Sequence, residues 1–69
     1  MKFEYYSDTD TLYISLRDEP GTDAREVAPD IVLDVSDSGD VVGIEIERAS
    51  TRTDLSEVKL SHLPVRELV

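Results

Sequence analysis

The chain has 69 residues, with sixteen acidic side chains against seven basic ones, a formal net charge of −9 and no cysteine. That length admits a single small domain, residues 1–69, and the missing cysteine excludes both a disulfide staple and a thiolate metal centre. Phosphate backbones and anionic membranes repel so acidic a surface, so nucleic acid and membrane are excluded as expected partners, while a small basic protein is favoured.

Taken in order, Lys2 to Tyr6 reads as a first strand with Phe3 and Tyr5 on one face. Thr11 to Arg17 reads as a second, with Leu12, Ile14 and Leu16 on one side and Tyr13, Ser15 and Arg17 on the other. Matching the apolar sets places Tyr5 opposite Leu12 and Phe3 opposite Ile14, with an even loop inside Ser7 to Asp10. Asp18-Glu19-Pro20-Gly21-Thr22 punctuates the chain with a reversal. Asp23 to Ala28 is a weaker strand suited to a sheet edge, and Pro29, which cannot donate to a ladder, marks its end.

The stretch from Asp30 to Ser50 carries the strongest pattern, two strands closed by a tight turn. Ile31, Leu33 and Val35 share a face on the first arm, and Val42, Ile44 and Ile46 share one on the second. Both sets point the same way if Val35 lies opposite Val42, Leu33 opposite Ile44 and Ile31 opposite Ile46, which predicts an even loop, either Ser38-Gly39 or Asp37 to Asp40. Beyond Ser50 the period changes. Thr53 can cap a helix from Asp54 to roughly Leu60, with Asp54 and Glu57 favourably placed in its first turn. Residues 61–69 have no clear period and read as further cover or an extended docking tail. The expected fold is mainly β (α+β), a small antiparallel β-meander of about five strands with one short C-terminal helix.

The stretches DTDTLYISL and IVLDVSDSGDVVGIEIERAS give the chain a family likeness. They resemble a small bacterial family known as domain of unknown function 2283, through an acidic turn before an LYI strand, an aspartate-rich hairpin, a VGIEI strand and a closing Ala-Ser. The matching positions are Leu12, Tyr13 and Ile14, then Asp34, Gly39, Val42, Gly43, Ile44, Glu45, Ile46, Ala49 and Ser50. The likeness runs over about residues 4 to 50. It brings no established activity. Because some members are thought to be encoded beside small toxin genes, it implies an antitoxin-like, partner-binding role.

Several constellations carry chemistry on paper. Asp34, Ser36, Ser38, Gly39 and Glu45 stand at the first, third, fifth, sixth and twelfth places of a calcium-loop pattern, but strands flank them where that loop has helices. Asp34 and Glu45 fall diagonal to each other on the polar face, a spacing that could serve acid–base chemistry only inside a concave pocket. The bland reading has Asp34 and Glu45 bonding neighbouring hydroxyls or Arg17, with Gly43 relieving crowding. His62 stands alone, and the seven serines form no nucleophile elbow. The expectation is a protein that is not an enzyme, with no catalytic residue, no metal ligand and no cofactor.

Tyr13, Ser15 and Arg17, with Val32, Asp34, Val41, Gly43 and Glu45, define a partly apolar second face that reads as an interface. A core of this size is expected to supply no more than roughly 3–5 kcal/mol, so self-association, as a homodimer, is a further expectation. The expected function is a non-catalytic protein-binding module, an antitoxin-like partner of a small basic protein. The alternative is a purely structural, self-assembling protein without a hetero-partner, and a metal- or ligand-binding domain ranks below both. The N-terminus lacks the apolar core of a secretory signal, and no apolar run approaches a membrane span, so the expected location is cytoplasmic.

Overall fold

A computed structural model covers residues 1–69. Its elements are β1 (Lys2–Tyr6), β2 (Thr11–Ser15), β3 (Asp23–Ala28), β4 (Ile31–Val35), β5 (Val41–Ile46) and α1 (Ala49–Arg52). The five strands form one antiparallel sheet in the order β1-β2-β5-β4-β3. A meander of β3, β4 and β5 is thus joined by the β1–β2 hairpin, which pairs along β5 rather than beside β3. This order places the most apolar strands at the centre and leaves KFEYY and DAREVA as edges. The second strand ends at Ser15, two residues short of the expected Arg17. From there Arg17 leaves the ladder and pairs with Glu19 at 2.9 Å and Asp40 at 2.7 Å.

The first hairpin has the expected register, Phe3 opposite Ile14 and Tyr5 opposite Leu12. In the second, Leu33 faces Ile44 and Ile31 faces Ile46 as expected, but Val35 faces Val41 rather than Val42. A bulge next to Val35 inserts one extra residue in β5. The loop is therefore Ser36 to Asp40, odd in length, where an even loop was expected. The bulge absorbs the surplus residue, so both apolar sets still share a face. Inside the loop the Gly39 N–H donates to the Ser36 carbonyl and the Ser36 N–H to the Asp40 carbonyl, both at 2.9 Å. Gly39 adopts a φ of 89°, a left-handed conformation that suits a residue without Cβ.

Cross-strand pairing assembles two apolar rows on one face. One runs Phe3, Ile14, Ile44, Leu33 and the other Tyr5, Leu12, Ile46, Ile31. None of these eight side chains is buried. The buried apolar residues are Val35, Val42 and Ala49. Most apolar side chains of the sheet are thus only partly covered.

The helix lies elsewhere than expected. Residues 54–60 are not helical, and α1 occupies Ala49–Arg52. Thr53 is its C-cap, donating its N–H to the Ala49 carbonyl at 2.9 Å and its hydroxyl to the same oxygen at 2.8 Å. The Thr53 hydroxyl is thus directed back to α1 rather than to the N–H groups of a following turn. Just after it, the Asp54 carboxylate accepts the Ser56 N–H at 3.0 Å and the Ser56 hydroxyl at 2.5 Å, a local turn that competes with helical bonding. No hydrogen bond ties residues 54–69 to the sheet, and Val58, Leu60, Leu63 and Val65 are each about half exposed or more.

Two aspartates hold α1 against the sheet end. Asp10 accepts the Tyr5 hydroxyl at 2.7 Å, the Ser50 hydroxyl at 2.6 Å and the Ser50 N–H at 3.1 Å, while its carbonyl accepts the Ala49 N–H at 2.8 Å. Asp30 receives Arg48 at 2.6 Å and Arg52 at 2.9 Å. Both aspartates have positive φ, 53° and 66°, a conformation that Asp tolerates better than most residues. Ser50 hydrogen bonds hold the Asp10 carboxyl below the ordinary range, and Arg48 does the same for Asp30. A lowered carboxyl contributes stability above its unfolded pKa, near 3.8, and loses it as pH falls through the folded value. Thermal melts across an acid series should therefore show the midpoint falling below pH 3.8. An Asp10→Asn, Asp30→Asn double variant should start from a lower midpoint and lose less on acidification; an unchanged acid slope would mean that other groups govern it.

Candidate partner-binding face

The face opposite the apolar rows is built by the same register. One transverse row crosses all five strands as Glu4, Tyr13, Glu45, Val32 and Glu26. Carboxylates stand on β1, β5 and β3, with a tyrosine and a valine on the strands between. Adjacent strands are about 4.8 Å apart, so successive acids lie roughly 10 Å from each other, near the screening length at physiological salt. The neighbouring row is Lys2, Ser15, Gly43, Asp34 and Ala24. Lys2 pairs with Glu4 at 3.3 Å and is the only cationic side chain in the two rows.

Tyr13 joins the rows. Its ring leaves β2, passes over Gly43 on β5 and donates its hydroxyl to Asp34 Oδ2 on β4. A Cβ at position 43 would sit 2.8 Å from Tyr13 Cζ and 3.3 Å from Cε1, so only glycine leaves room for the ring. Gly21, in the β2–β3 connection, also lies against Asp34, where a Cβ would come within 2.9 Å of Asp34 Cβ. Asp34 is thus half-enclosed between a ring and a backbone. The hydrogen bond to Asp34, helped by burial, pushes the Tyr13 phenol up to about 12. Glu45 is also raised, first by burial and then by Glu47 and Asp34. These carboxylates meet a hydroxyl and a half-dry surface, with no cation neutralising them from within the chain.

Of the expected interface residues, Tyr13, Ser15, Val32, Asp34, Gly43 and Glu45 come together in these two rows. Arg17 does not, because it is drawn to Glu19 and Asp40. Val41 falls outside them, since the bulge sets it opposite Val35. Of the two partners expected for Asp34, the structure supplies a hydroxyl, that of Tyr13. The calcium-pattern oxygens turn inward: Ser36 Oγ and Ser38 Oγ are 2.9 Å apart, and Ser38 donates to Asp40 at 3.1 Å. Glu4 and Glu26 were missed at first, although alternation with Phe3 and Tyr5 in β1, and with Arg25 and Val27 in β3, points toward their face. An open depression of about 610 Å³ at one end of this face is lined by Tyr6, Thr11, Asp30, Glu45, Glu47 and Arg48 among others.

Sheet, bulge and short helix define the class, a small antiparallel β domain with one acidic and one apolar face. The model of the family described as "Protein of unknown function (DUF2283)" matches residues 2–50, and the chain belongs to that family. No curated protein and no solved structure matches the chain. The matched segment ends at Ser50, whose bonds to Asp10 give the closing Ala-Ser a structural reason: Ala49 is fully buried and Ser50 ties the chain end to the first hairpin. No helix is long and apolar enough to cross a membrane.

Alkaline titration followed by tyrosinate absorbance should resolve one residue near 12. In Asp34→Asn that transition should move down toward 10, the value of a free phenol. A raised phenol stabilises the fold below pH 10 and stops doing so as pH climbs through about 12, so alkaline unfolding should begin earlier in the variant. Gly43→Val should destabilise by roughly 1–3 kcal/mol through overpacking against the ring, measured by urea unfolding. A Tyr13→Ala, Gly43→Val double variant should recover part of that loss.

Proposed function

We propose that this protein is a non-catalytic binding module whose acidic sheet face receives a basic protein, in the manner of an antitoxin covering a small basic toxin. The carrying observation is the transverse row Glu4, Tyr13, Glu45, Val32, Glu26, in which acids alternate with an aromatic and an aliphatic side chain across the whole sheet. The carboxylates of Glu26 and Glu45, with no cation beside them, and of Glu4, shared with Lys2, steer a cationic partner and set its register, while Tyr13 and Val32 supply apolar contact once water leaves. A rigid sheet with Tyr13 locked to Asp34 loses little side-chain freedom on binding. The net charge of −9 supports the same reading, because it accelerates encounter with a basic surface.

The test is capture of a basic partner by the tagged protein at low salt, repeated at high salt and with a Glu4→Gln, Glu26→Gln, Glu45→Gln variant. The expected result is one stoichiometric basic protein, released by salt and lost or much reduced with the variant, whose unfolding curve should match the wild type. Retention of the partner by the variant would move the site off this face.

The alternative of a self-assembling protein is favoured by a different observation, the incompletely buried apolar rows on the opposite face.

A further inference from the structure

The apolar face is the largest unexplained feature of the molecule. Its two rows span four strands, and none of their side chains is buried. Phe3 and Tyr5 remain 53% and 47% exposed. The chain presents 5499 Å² to solvent. A folded monomer of 7.7 kDa presents roughly 4,300 Å² by the usual scaling with mass. The excess, about 1,200 Å², is shared between this face and residues 54–69, which are exposed throughout.

Charge identifies the occupant. In a protein of net charge −9, the four strands that carry the apolar rows present no charged side chain on this face. Its charges stand at the margins: Asp23 and Arg25 on the β3 edge, which pair with each other at 3.3 Å, and the Asp10 carboxylate, which accepts the Tyr5 hydroxyl at 2.7 Å. A basic partner finds a single marginal carboxylate here, Asp10, already holding the Tyr5 and Ser50 hydroxyls, whereas a second copy brings the same uncharged rows. Two such sheets packed face to face, about 10 Å apart, make the two-layer sandwich that one chain cannot make.

We infer that the protein is a homodimer in which the apolar sheet faces of two copies pack together, leaving both acidic faces outward. This concerns the face opposite the proposed partner site, and it is tested without any partner, so the two readings fail separately.

The experiment combines sedimentation velocity on the intact chain with tyrosine nitration over a dilution series. Tyr5 and Tyr6 are neighbours on β1 with matching exposure, 47% and 46%, but they lie on opposite faces. The expected result is twice the 7.7 kDa mass, with Tyr5 protected from nitration at high concentration and reactive on dilution while Tyr6 reacts at both. Phe3→Lys with Tyr5→Lys should then sediment as a monomer, and Tyr6→Lys as a dimer. A wild-type monomer at high concentration overturns the inference, including one that takes up a foreign apolar segment on this face. So does Tyr5 reactivity that ignores concentration, or a dimer that Tyr6→Lys dissociates and the Phe3→Lys, Tyr5→Lys pair leaves intact. The nitration series uses the wild-type chain and does not depend on the variants folding.

Discussion

Pairing along β5 is the constraint on which everything else in this domain rests. That strand accepts β2 on one side and β4 on the other, and it is where the two hairpins of the chain become one sheet. Its residues alternate between the faces, so each pairing partner inherits the alternation: Ile44 and Ile46 bring Ile14, Leu12, Leu33 and Ile31 to one side, while Gly43 and Glu45 bring Ser15, Tyr13, Asp34 and Val32 to the other. A slip of one residue would exchange the two sets and put carboxylates among isoleucines. The bulge beside Val35 protects that alternation, because it takes up the odd residue of the Ser36–Asp40 loop before the register reaches Gly43.

The two faces then differ in kind. On the acidic face the small residue at position 43 lets Tyr13 cross a whole strand to reach Asp34, and that bond links β2 to β4 over β5. On the apolar face nothing comparable happens. The short helix is used at the sheet end, where Asp10 and Asp30 fasten it, and residues 54–69 make no hydrogen bond to the strands. A chain with so few buried side chains has little hydrophobic stabilisation to set against its conformational entropy. In the proposed homodimer a second copy would cover the apolar face and add the burial that one chain lacks.

Strand positions and most of the pairing were legible before any coordinates, because period-two alternation is a local property that survives any arrangement of the strands. The first hairpin's register followed directly, and so did two of the three pairs in the central one. The third failed because a bulge has no hydrophobic signature: Val41 and Val42 look alike in sequence, and the choice between them depends on how the loop closes. The helix was misplaced for a similar reason. Asp54 and Glu57 after a threonine form a fair N-terminal signal, but Thr53 was already occupied in capping α1, and the fourfold duty of Asp10 that anchors α1 joins residues forty positions apart.

The candidate face shows the same division. Tyr13, Asp34, Gly43 and Glu45 could be placed on one side of the sheet from alternation alone, and crowding at Gly43 could be anticipated. Composition determined that the surface would be acidic, and spacing determined that it would be a sheet with one apolar side. Only the tertiary structure decided that β2 lies beside β5, which is what carries Glu4, Tyr13, Glu45, Val32 and Glu26 into a single row. Only it decided that Arg17 pairs with Glu19 and Asp40, and that the apolar rows stop short of full burial, with Phe3 and Tyr5 about half exposed. The physical reason is that alternation acts over neighbouring residues, whereas strand order and cover are set by which distant surfaces exclude water together.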